Sequence, residues 1–403
     1  MHYRIFVAFL FSLVLAAGQV KAGEVEHWNR VATDAAVAQE LDPLNESRIF
    51  AIVHASIHDA LNAIDRRYDA YQARISAAPG ASAEVAIAAA AHASLMELMP
   101  ARKAAFEAAL AETLAQVQDK QAAAGGVQVG RQAAAMNLAK RRADGASRDI
   151  KYIPGKKAGE YRPTPPDFPP AAFAQWGLIR PFVLTSASQF RPVPPLDPKS
   201  ARARAEIEEV RLIGGKTSSA RTAEQSEISR YWYESSPQGW NRIARVVAAD
   251  RGLDEWESAR LMALVNFAMA DGFIGGFEAK YHYKYWRPAT AIRANGDAEW
   301  LPDLWTPPVP DYPSTHTVLG AAAAAVLTRY FGTDYVSFAM TSGAPYAGIT
   351  RKFWSFSEAA RENGASRVLA GIHFATAVQA GYDQGERIGV FTYERALRPL
   401  PPH

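Results

Sequence analysis

Residues 313–331 read PSTHTVLGAAAAAVLTRYF, and this stretch indicates both the fold class and the position of a functional site. Alanine has the highest helix propensity of all residues, so the Ala-rich run predicts a helix over 317–331. Ser314 is well placed as the N-cap of that helix. The N–H groups of Thr315 and His316 would then lie at the positive helix end, where a tetrahedral oxyanion binds.

Apolar residues recur at helical spacing in several other parts of the chain. From residue 46 to 65 they fall at Ile49, Val53, Ile57, Leu61 and Ile64, which predicts one buried helical face. Thr222 and Gln225 have the spacing of a capping box, in which each side chain satisfies a free backbone N–H at a helix start. Further helices are predicted over 83–100, 104–118, 127–142, 256–271 and 366–380. Sustained two-residue alternation and hairpin patterns are missing, so the predicted fold class is all-α.

The predicted organisation is a single large helical domain over residues 23–403. Residues 23–200 supply N-terminal helices followed by a proline-rich segment, 163–198, which is too apolar for a free linker and is predicted to pack as a long loop. Residues 201–403 form the C-terminal half, which carries the anion site described below.

Composition excludes several classes of protein. The chain has 403 residues, 49% hydrophobic and 21% charged, with a net charge of +3, which is an ordinary globular balance. A near-neutral chain lacks the excess of basic residues that is typical of proteins that bind nucleic acid broadly. Cysteine is absent, which excludes thiol catalysis, iron–sulfur clusters and Cys-ligated zinc.

The first 22 residues have the pattern of a secretory signal peptide. His2 and Arg4 precede an apolar run from Ile5 to Ala17, and the small residues around Ala22 offer a cleavage site. The run is short for a membrane span, and we read no later stretch as long and apolar enough for one. We therefore expect an exported protein, periplasmic or extracellular, without stable membrane insertion after the signal is removed.

Basic residues and histidines form three clusters between residues 280 and 373. In the first, Lys280 and Arg287 are seven residues apart, which on one helix would bring them to the same face. The second is the segment 313–316 quoted above. The third places Ser366, Arg367 and His373 inside the helix predicted over 366–380.

Together these clusters have the donors that an oxyanion requires. Lys280, Arg287 and Arg367 supply three cations, which are costly to bury unless an anion compensates them. His316 and His373 supply nitrogens that bond to a central atom or move protons near neutral pH. Taken singly, each cation is more simply a solvated surface charge and each histidine a core residue.

The three motifs, K-x6-R-P, P-S-x-H and S-R-x5-H, resemble the signature shared by vanadium-dependent haloperoxidases and type 2 phosphatidic acid phosphatases (the PAP2 superfamily). Segments 48–63, 176–184 and 222–243 are similar to the long bacterial haloperoxidase-like members. The resemblance implies two four-helix bundles, with vanadate or phosphate bound in the C-terminal half. It also implies that bound vanadate activates hydrogen peroxide, which oxidises a halide to hypohalite.

Residue roles follow from the same resemblance. The oxyanion would be held by the side chains of Lys280, Arg287, Ser314 and Arg367 and by the backbone N–H of Thr315. His373 would be the axial ligand of vanadium, or the phosphorylated nucleophile of a phosphatase, and His316 the acid–base residue. The alternatives to a haloperoxidase are therefore a PAP2-type acid phosphatase acting on a phosphomonoester and a non-catalytic phosphate-binding helical protein.

Two positions depart from the family pattern. Thr315 stands where the family usually has glycine, so its side chain would either crowd the oxyanion or add a hydroxyl donor. Ala377 stands four residues after His373, where the family commonly has an acid that orients the imidazole. Without it, the tautomer of His373 depends on whether another acceptor substitutes.

Other candidates lie outside the three motifs or beside them. His54 and His58 have a metal-ligand spacing on one helix, but we interpret them as packed residues because no third ligand is near. His282 is expected to line the pocket near the halide. Val309, seven residues before His316, offers no polar group to select a halide.

Overall fold

The computed structural model of the protein describes residues 23–72 and 75–401, so the predicted signal peptide, residues 1–22, lies outside the described residues. Within them the all-α prediction is confirmed, since helices make up most of the structure. The helices are α1 (Glu24–Ala38), α2 (Pro43–Ile64), α3 (Ala83–Leu98), α4 (Lys103–Gln116), α5 (Lys120–Arg141), α6 (Ala201–Ile213), α7 (Ala223–Tyr231), α8 (Ser236–Asp250), α9 (Glu255–Tyr283), α10 (Pro288–Ala294), α11 (Thr315–Phe331), α12 (Phe356–Leu369) and α13 (Ala375–Arg395). Single 3-10 turns lie at Pro100–Arg102 and Trp176–Leu178.

Side-chain caps explain where several helices begin. Asp42 accepts hydrogen bonds from the N–H groups of Leu44 and Asn45 at the start of α2. The capping box predicted at Thr222 and Gln225 is confirmed, because both of its hydrogen bonds are present at the start of α7. These bonds satisfy N–H groups that have no partner inside the helix.

The helix α9 runs through the centre of the molecule and joins two groups of helices. One of its sides packs against α2, which in turn contacts α3 and α5. The other side packs against α11 and α13, and α12 covers these two. Among residues 23–72 and 75–401, α9 is the one helix that is long and apolar enough to cross a membrane, although we read no such stretch in the sequence. Most of its residues are buried inside the protein, as in the core helix of a globular domain.

The helices α11 and α13 approach each other unusually closely. A Cβ atom at Gly381, Gly385 or Gly389 of α13 would lie 2.5, 2.2 or 2.3 Å from a carbonyl oxygen of α11. Only glycine permits this backbone contact at three successive turns. The contact fixes the N-terminus of α11, because Gly381 faces the carbonyl of Ser314.

Three sequence expectations about local structure are wrong. The helix predicted over 366–380 is two helices, α12 and α13, separated by a turn in which Gly371 has φ +77°. Lys280 and Arg287 do not share a helix, because α9 ends at Tyr283 and Lys284 is left-handed. A short antiparallel hairpin, β1 (Phe338–Thr341) and β2 (Thr350–Phe353), is present although no hairpin was predicted.

The proline-rich segment 163–198 is a packed loop, as predicted, with the 3-10 turn at Trp176–Leu178 as its regular element. Its Trp176 and Phe182 side chains are buried in the core. Asp271 of α9 accepts hydrogen bonds from three consecutive N–H groups of this loop, those of Phe182, Val183 and Leu184. The buried carboxylate therefore anchors the loop to the central helix.

Candidate active site

Lys280 lies in the last turn of α9 and is completely buried. Its Nζ donates to the carbonyl oxygens of Pro310 (2.7 Å) and Asp311 (2.9 Å). Burial lowers the pKa of Lys280 well below its ordinary value, and the neighbouring Arg287 lowers it further, while Asp311 opposes both. The ammonium group thus attaches the loop before α11 to the central helix.

Arg287 is the N-cap residue of α10 and is also fully buried. Its Nε donates to the carbonyl of Val309 (2.8 Å) and one terminal nitrogen donates to the carbonyl of Ile372 (2.7 Å). The guanidinium therefore joins the loop before α11 to the turn between α12 and α13. The left-handed Lys284 reverses the chain after α9, and this reversal brings Lys280 and Arg287 together without a shared helix.

Ser314 is the N-cap residue of α11, as predicted, but its side chain makes no capping hydrogen bond. Its hydroxyl accepts instead from Oγ1 of Thr317 (2.9 Å), and its own N–H donates to the carbonyl of Ala377 (2.9 Å). The side chain at the N-cap thus leaves the first N–H groups of α11 available to a ligand.

The side chain of Thr315 faces α9. A Cβ atom placed on Gly276 of α9 would come within 2.6 Å of Cγ2 of Thr315, so the threonine methyl fills the space that the missing side chain of Gly276 leaves. Thr315 is accommodated in this way, and its methyl group points into the helix interface.

Arg367 and His316 share one acceptor, the backbone carbonyl of Trp232. Nε2 of His316 lies 2.6 Å from this oxygen and a terminal nitrogen of Arg367 donates to it at 3.2 Å. Because a carbonyl only accepts, the proton of His316 is on Nε2 and its Nδ1 is free. Burial is the main reason that the pKa of His316 lies well below its usual value and that of Arg367 falls to about 10.

His373 lies in the turn between α12 and α13 and contacts two charged groups. Its Nε2 is 3.0 Å from a terminal nitrogen of Arg287, and its Nδ1 is 2.8 Å from Oδ1 of Asp311. Burial and the nearby Arg287, Lys280 and Arg367 together place the pKa of His373 well below its ordinary value.

Asp311 is the functional residue that the sequence interpretation missed. It is completely buried and lies 3.8 Å from Arg287 in addition to its contact with His373. Burial raises the pKa of its carboxyl to about 7, although Arg287 and Lys280 act in the opposite direction. Its position two residues before Pro313, beside a recognised motif, is the signal that could have identified it.

The assembled residues fit a tetrahedral oxyanion. Lys280, Arg287 and Arg367 are each at most 3% exposed, and Asp311 is the one carboxylate that contacts this group among the described residues. Nε of Arg367 is buried with no hydrogen-bond partner. An unpaired buried N–H and an excess of buried positive charge are both costly, and a bound oxyanion would relieve both.

Other predicted residues lie elsewhere. His282, expected in the pocket, is exposed at the end of α9, which corrects that expectation. His54 is buried in the first bundle with Nε2 2.7 Å from the amide of Asn29, and His58 contacts Asp59. No group of three metal-ligating side chains occurs within residues 23–72 and 75–401.

Comparison with known proteins gives consistent results. Residues 260–401 match the family model described as the VCPO second helical-bundle domain. A curated relative, the vanadium chloroperoxidase of Curvularia inaequalis, is 30% identical over 145 residues, which are 28% of this chain and 24% of that protein. The aligned part thus spans about a quarter of the length of the curated relative.

Solved structures extend the similarity to almost the whole chain. The crystal structure of a bacterial vanadium-dependent iodoperoxidase is 28% identical, with a TM-score of 0.83, over 93% of this chain and 97% of that one. A holo-type bacterial vanadium-dependent chloroperoxidase has the same fold, with a TM-score of 0.72 at 19% identity over 88% of this chain and 91% of that one. The predicted resemblance is therefore confirmed, and these relatives are vanadium-dependent peroxidases, the class of enzyme that was predicted.

Proposed function

Because this chain shares its second helical bundle and its fold with the vanadium haloperoxidases, we propose that it is a vanadate-dependent haloperoxidase that oxidises halide with hydrogen peroxide. The observation that carries the proposal is the convergence of three buried cations, Lys280, Arg287 and Arg367, beside His373 with a single carboxylate in contact. An anion with several acceptor oxygens would compensate this buried positive charge.

The residues of the site have distinct tasks in binding. Lys280, Arg287 and Arg367 would hold oxygens of vanadate, and Ser314 and the N–H of Thr315 would donate to it at the positive end of α11. Nε2 of His373 would face the central atom. When bound, vanadate acts as a Lewis acid that polarises peroxide oxygen towards attack by a halide.

His316 is suited to move the protons of the reaction. Its Nε2–H is fixed on the carbonyl of Trp232, which orients the ring and leaves Nδ1 as the basic nitrogen. Burial lowers the pKa of His316, which favours the neutral imidazole, and its unprotonated Nδ1 would be the atom that takes a proton from hydrogen peroxide. Transfer of this proton back to the product oxygen would then complete the cycle.

One set of assays tests the proposal. Purified protein is loaded with orthovanadate and assayed for peroxide-dependent oxidation of iodide, bromide and chloride, and the apoprotein is assayed for hydrolysis of p-nitrophenyl phosphate. We expect halide oxidation that depends on vanadate and is inhibited by phosphate. Hydrolysis without halide oxidation would instead support the phosphatase, and phosphate binding without either activity would support a non-catalytic binding protein.

We also propose that the protein is exported by means of residues 1–22. Expression of the full chain in a bacterium and sequencing of the N-terminus of the periplasmic product test this. We expect cleavage after Ala22, and retention of the intact chain in the cytoplasm would contradict it.

A further inference from the structure

We propose that Asp311 is the positioning residue of His373, holding the imidazole in the tautomer that leaves Nε2 free for vanadium. The inference rests on the proposed function. It assigns to a residue in the loop before α11 the role that the family commonly gives to an acid four residues after the histidine, where this chain has Ala377.

Two independent contacts define the tautomer. Nδ1 of His373 lies 2.8 Å from the Asp311 carboxylate, which can only accept when ionised, so the proton belongs on Nδ1. Nε2 lies 3.0 Å from a terminal nitrogen of Arg287, which can only donate; the same nitrogen is 3.5 Å from Nδ1, so the shorter contact favours a lone pair on Nε2. Both contacts therefore favour the same form of the ring.

The backbone of Asp311 is held in place, and its carboxylate has the N–H of Phe374 as a second neighbouring donor. Its Oδ1 lies 2.8 Å from Nδ1 of His373 and 3.8 Å from a terminal nitrogen of Arg287, so the imidazole is the nearer of these two ion-pairing partners. Its backbone is fixed because Lys280 donates to the carbonyl of Asp311 and the Asp311 N–H donates to the carbonyl of Tyr285. A carboxylate on a fixed backbone orients a ligand histidine and increases its basicity.

Asp311 and Ala377 line the same small space. A cavity of about 10 Å³ lies between them, lined also by Phe374 and Thr376. The small side chain of Ala377 leaves this space beside Asp311, so an acid at either position would approach the same side of the turn that carries His373. Moving the acid from position 311 to position 377 is therefore the exchange that tests the positioning role.

If Asp311 positions His373, vanadate and phosphate should respond differently to its removal, whereas a purely electrostatic effect of Asp311 would act on both anions alike. Phosphate binds through the cations and the N-terminus of α11, whereas vanadate in addition bonds to Nε2 of His373. Removal of Asp311 also removes a negative charge from the site, which by itself strengthens the binding of any oxyanion. A positioning role thus predicts weaker vanadate binding together with unchanged or tighter phosphate binding.

The experiment compares wild type, Asp311→Ala and the exchange variant Asp311→Ala/Ala377→Asp, which has the same composition as wild type. Dissociation constants for orthovanadate and for inorganic phosphate are measured by calorimetry on the apoproteins. We expect Asp311→Ala to raise the vanadate constant by about 10- to 100-fold, the usual effect of losing a partner of a ligand histidine, and the exchange variant to recover most of it.

Asp303→Ala is the matched control, because the Asp303 carboxylate, whose side chain is 7% exposed, pairs with Arg221 (2.7 Å) and with none of the site residues. This variant should lower the melting temperature without changing the ratio of the vanadate and phosphate dissociation constants.

A second readout is the ¹⁵N spectrum of labelled histidine in the apoprotein, in which the His373 signal is assigned by its loss in His373→Gln. We expect the Nδ1–H tautomer to predominate in wild type and the share of the Nε2–H tautomer to rise in Asp311→Ala, where only the Arg287 contact remains.

The outcomes separate the two proposals. If wild type binds vanadate no more tightly than phosphate but His373 is the Nδ1–H tautomer only when Asp311 is present, the proposed function fails and the positioning role stands. If wild type prefers vanadate and Asp311→Ala changes neither the preference nor the tautomer, the positioning role is overturned. Equal weakening of both anions in Asp311→Ala would also overturn it, since that indicates general damage to the site.

Discussion

The contact between Thr315 and Gly276 predicts that Gly276→Ala damages the site from a distance. The added Cβ would lie 2.6 Å from Cγ2 of Thr315, a separation that side chains do not tolerate, so Thr315 must move, and we expect the N-terminus of α11 to move with it. Gly272→Ala is the matched control on the same face of α9. Its Cβ would meet Val318 and Leu319 at 3.3 and 3.5 Å, which requires only a small adjustment.

The magnitude follows from two opposing effects. Alanine in place of glycine inside a helix gains up to about 1 kcal/mol in either variant. Overpacking at Gly276 costs about 1–3 kcal/mol, and this cost is the expected difference between the two variants. With an unfolding entropy of about 2.1 cal/mol/K per residue, a difference of that size in a chain of this length corresponds to roughly 1–4 °C in melting temperature.

Differential scanning calorimetry of both variants and of Gly276→Ala/Thr315→Ser measures this effect. The serine lacks Cγ2, so it should restore the melting temperature and also the vanadate affinity. We expect that affinity to fall about tenfold or more in Gly276→Ala, as for one impaired hydrogen bond to an anion. Equal melting temperatures for Gly276→Ala and Gly272→Ala, or no rescue by the serine, would refute the reasoning.

Three further predictions concern single residues. His316→Ala should reduce halide oxidation by about 10²- to 10⁴-fold while vanadate binding, measured by calorimetry, stays largely intact; equal loss of both would contradict its role as proton carrier. Arg367→Met should raise the melting temperature of the apoprotein, because an uncompensated buried charge is removed, and should abolish the stabilisation that vanadate gives wild type; a lower apoprotein melting temperature would contradict this. Burial lowers the pKa of His54 to about 3, so as pH falls from 6.5 the unfolded chain gains a proton that the folded chain does not, and stability is lost. His54→Gln should therefore lose about 2 kcal/mol less than wild type between pH 7 and pH 5 in denaturant titrations, and parallel losses would exclude this contribution.

The sequence predicted helices where periodicity or caps were strong. The helices over 46–65 and 83–100 were predicted to within about three residues of α2 and α3, and the capping box located α7. The helix predicted over 256–271 is shorter than α9, which continues to Tyr283. Because α9 is apolar on all sides, no amphipathic periodicity in the sequence marks its end. The short hairpin was missed because its strands have four residues each, too few for an alternation to be recognised.

For the site, motif spacing predicted which residues lie close together but not which hydrogen bonds hold them there. Lys280, Arg287 and His373 are brought together through backbone carbonyls of residues 307–311 and 372, and a carbonyl has no sequence signature. The same holds for Trp232, whose carbonyl joins His316 to Arg367 across 84 and 135 residues of chain. Such connections depend on tertiary packing alone.

The dependence on backbone carbonyls also explains why Asp311 can replace an acid at position 377. Lys280 and Arg287 bind consecutive carbonyls of the loop before α11, so the loop is held at the anion site wherever the carboxylate is placed in sequence. His373 follows a turn whose Ile372 carbonyl is bound by Arg287, so the ring is held against that same loop. A carboxylate on either side of the ring then satisfies one physical requirement, an acceptor for Nδ1, and the motif can lose its usual acid without losing the chemistry that the acid serves.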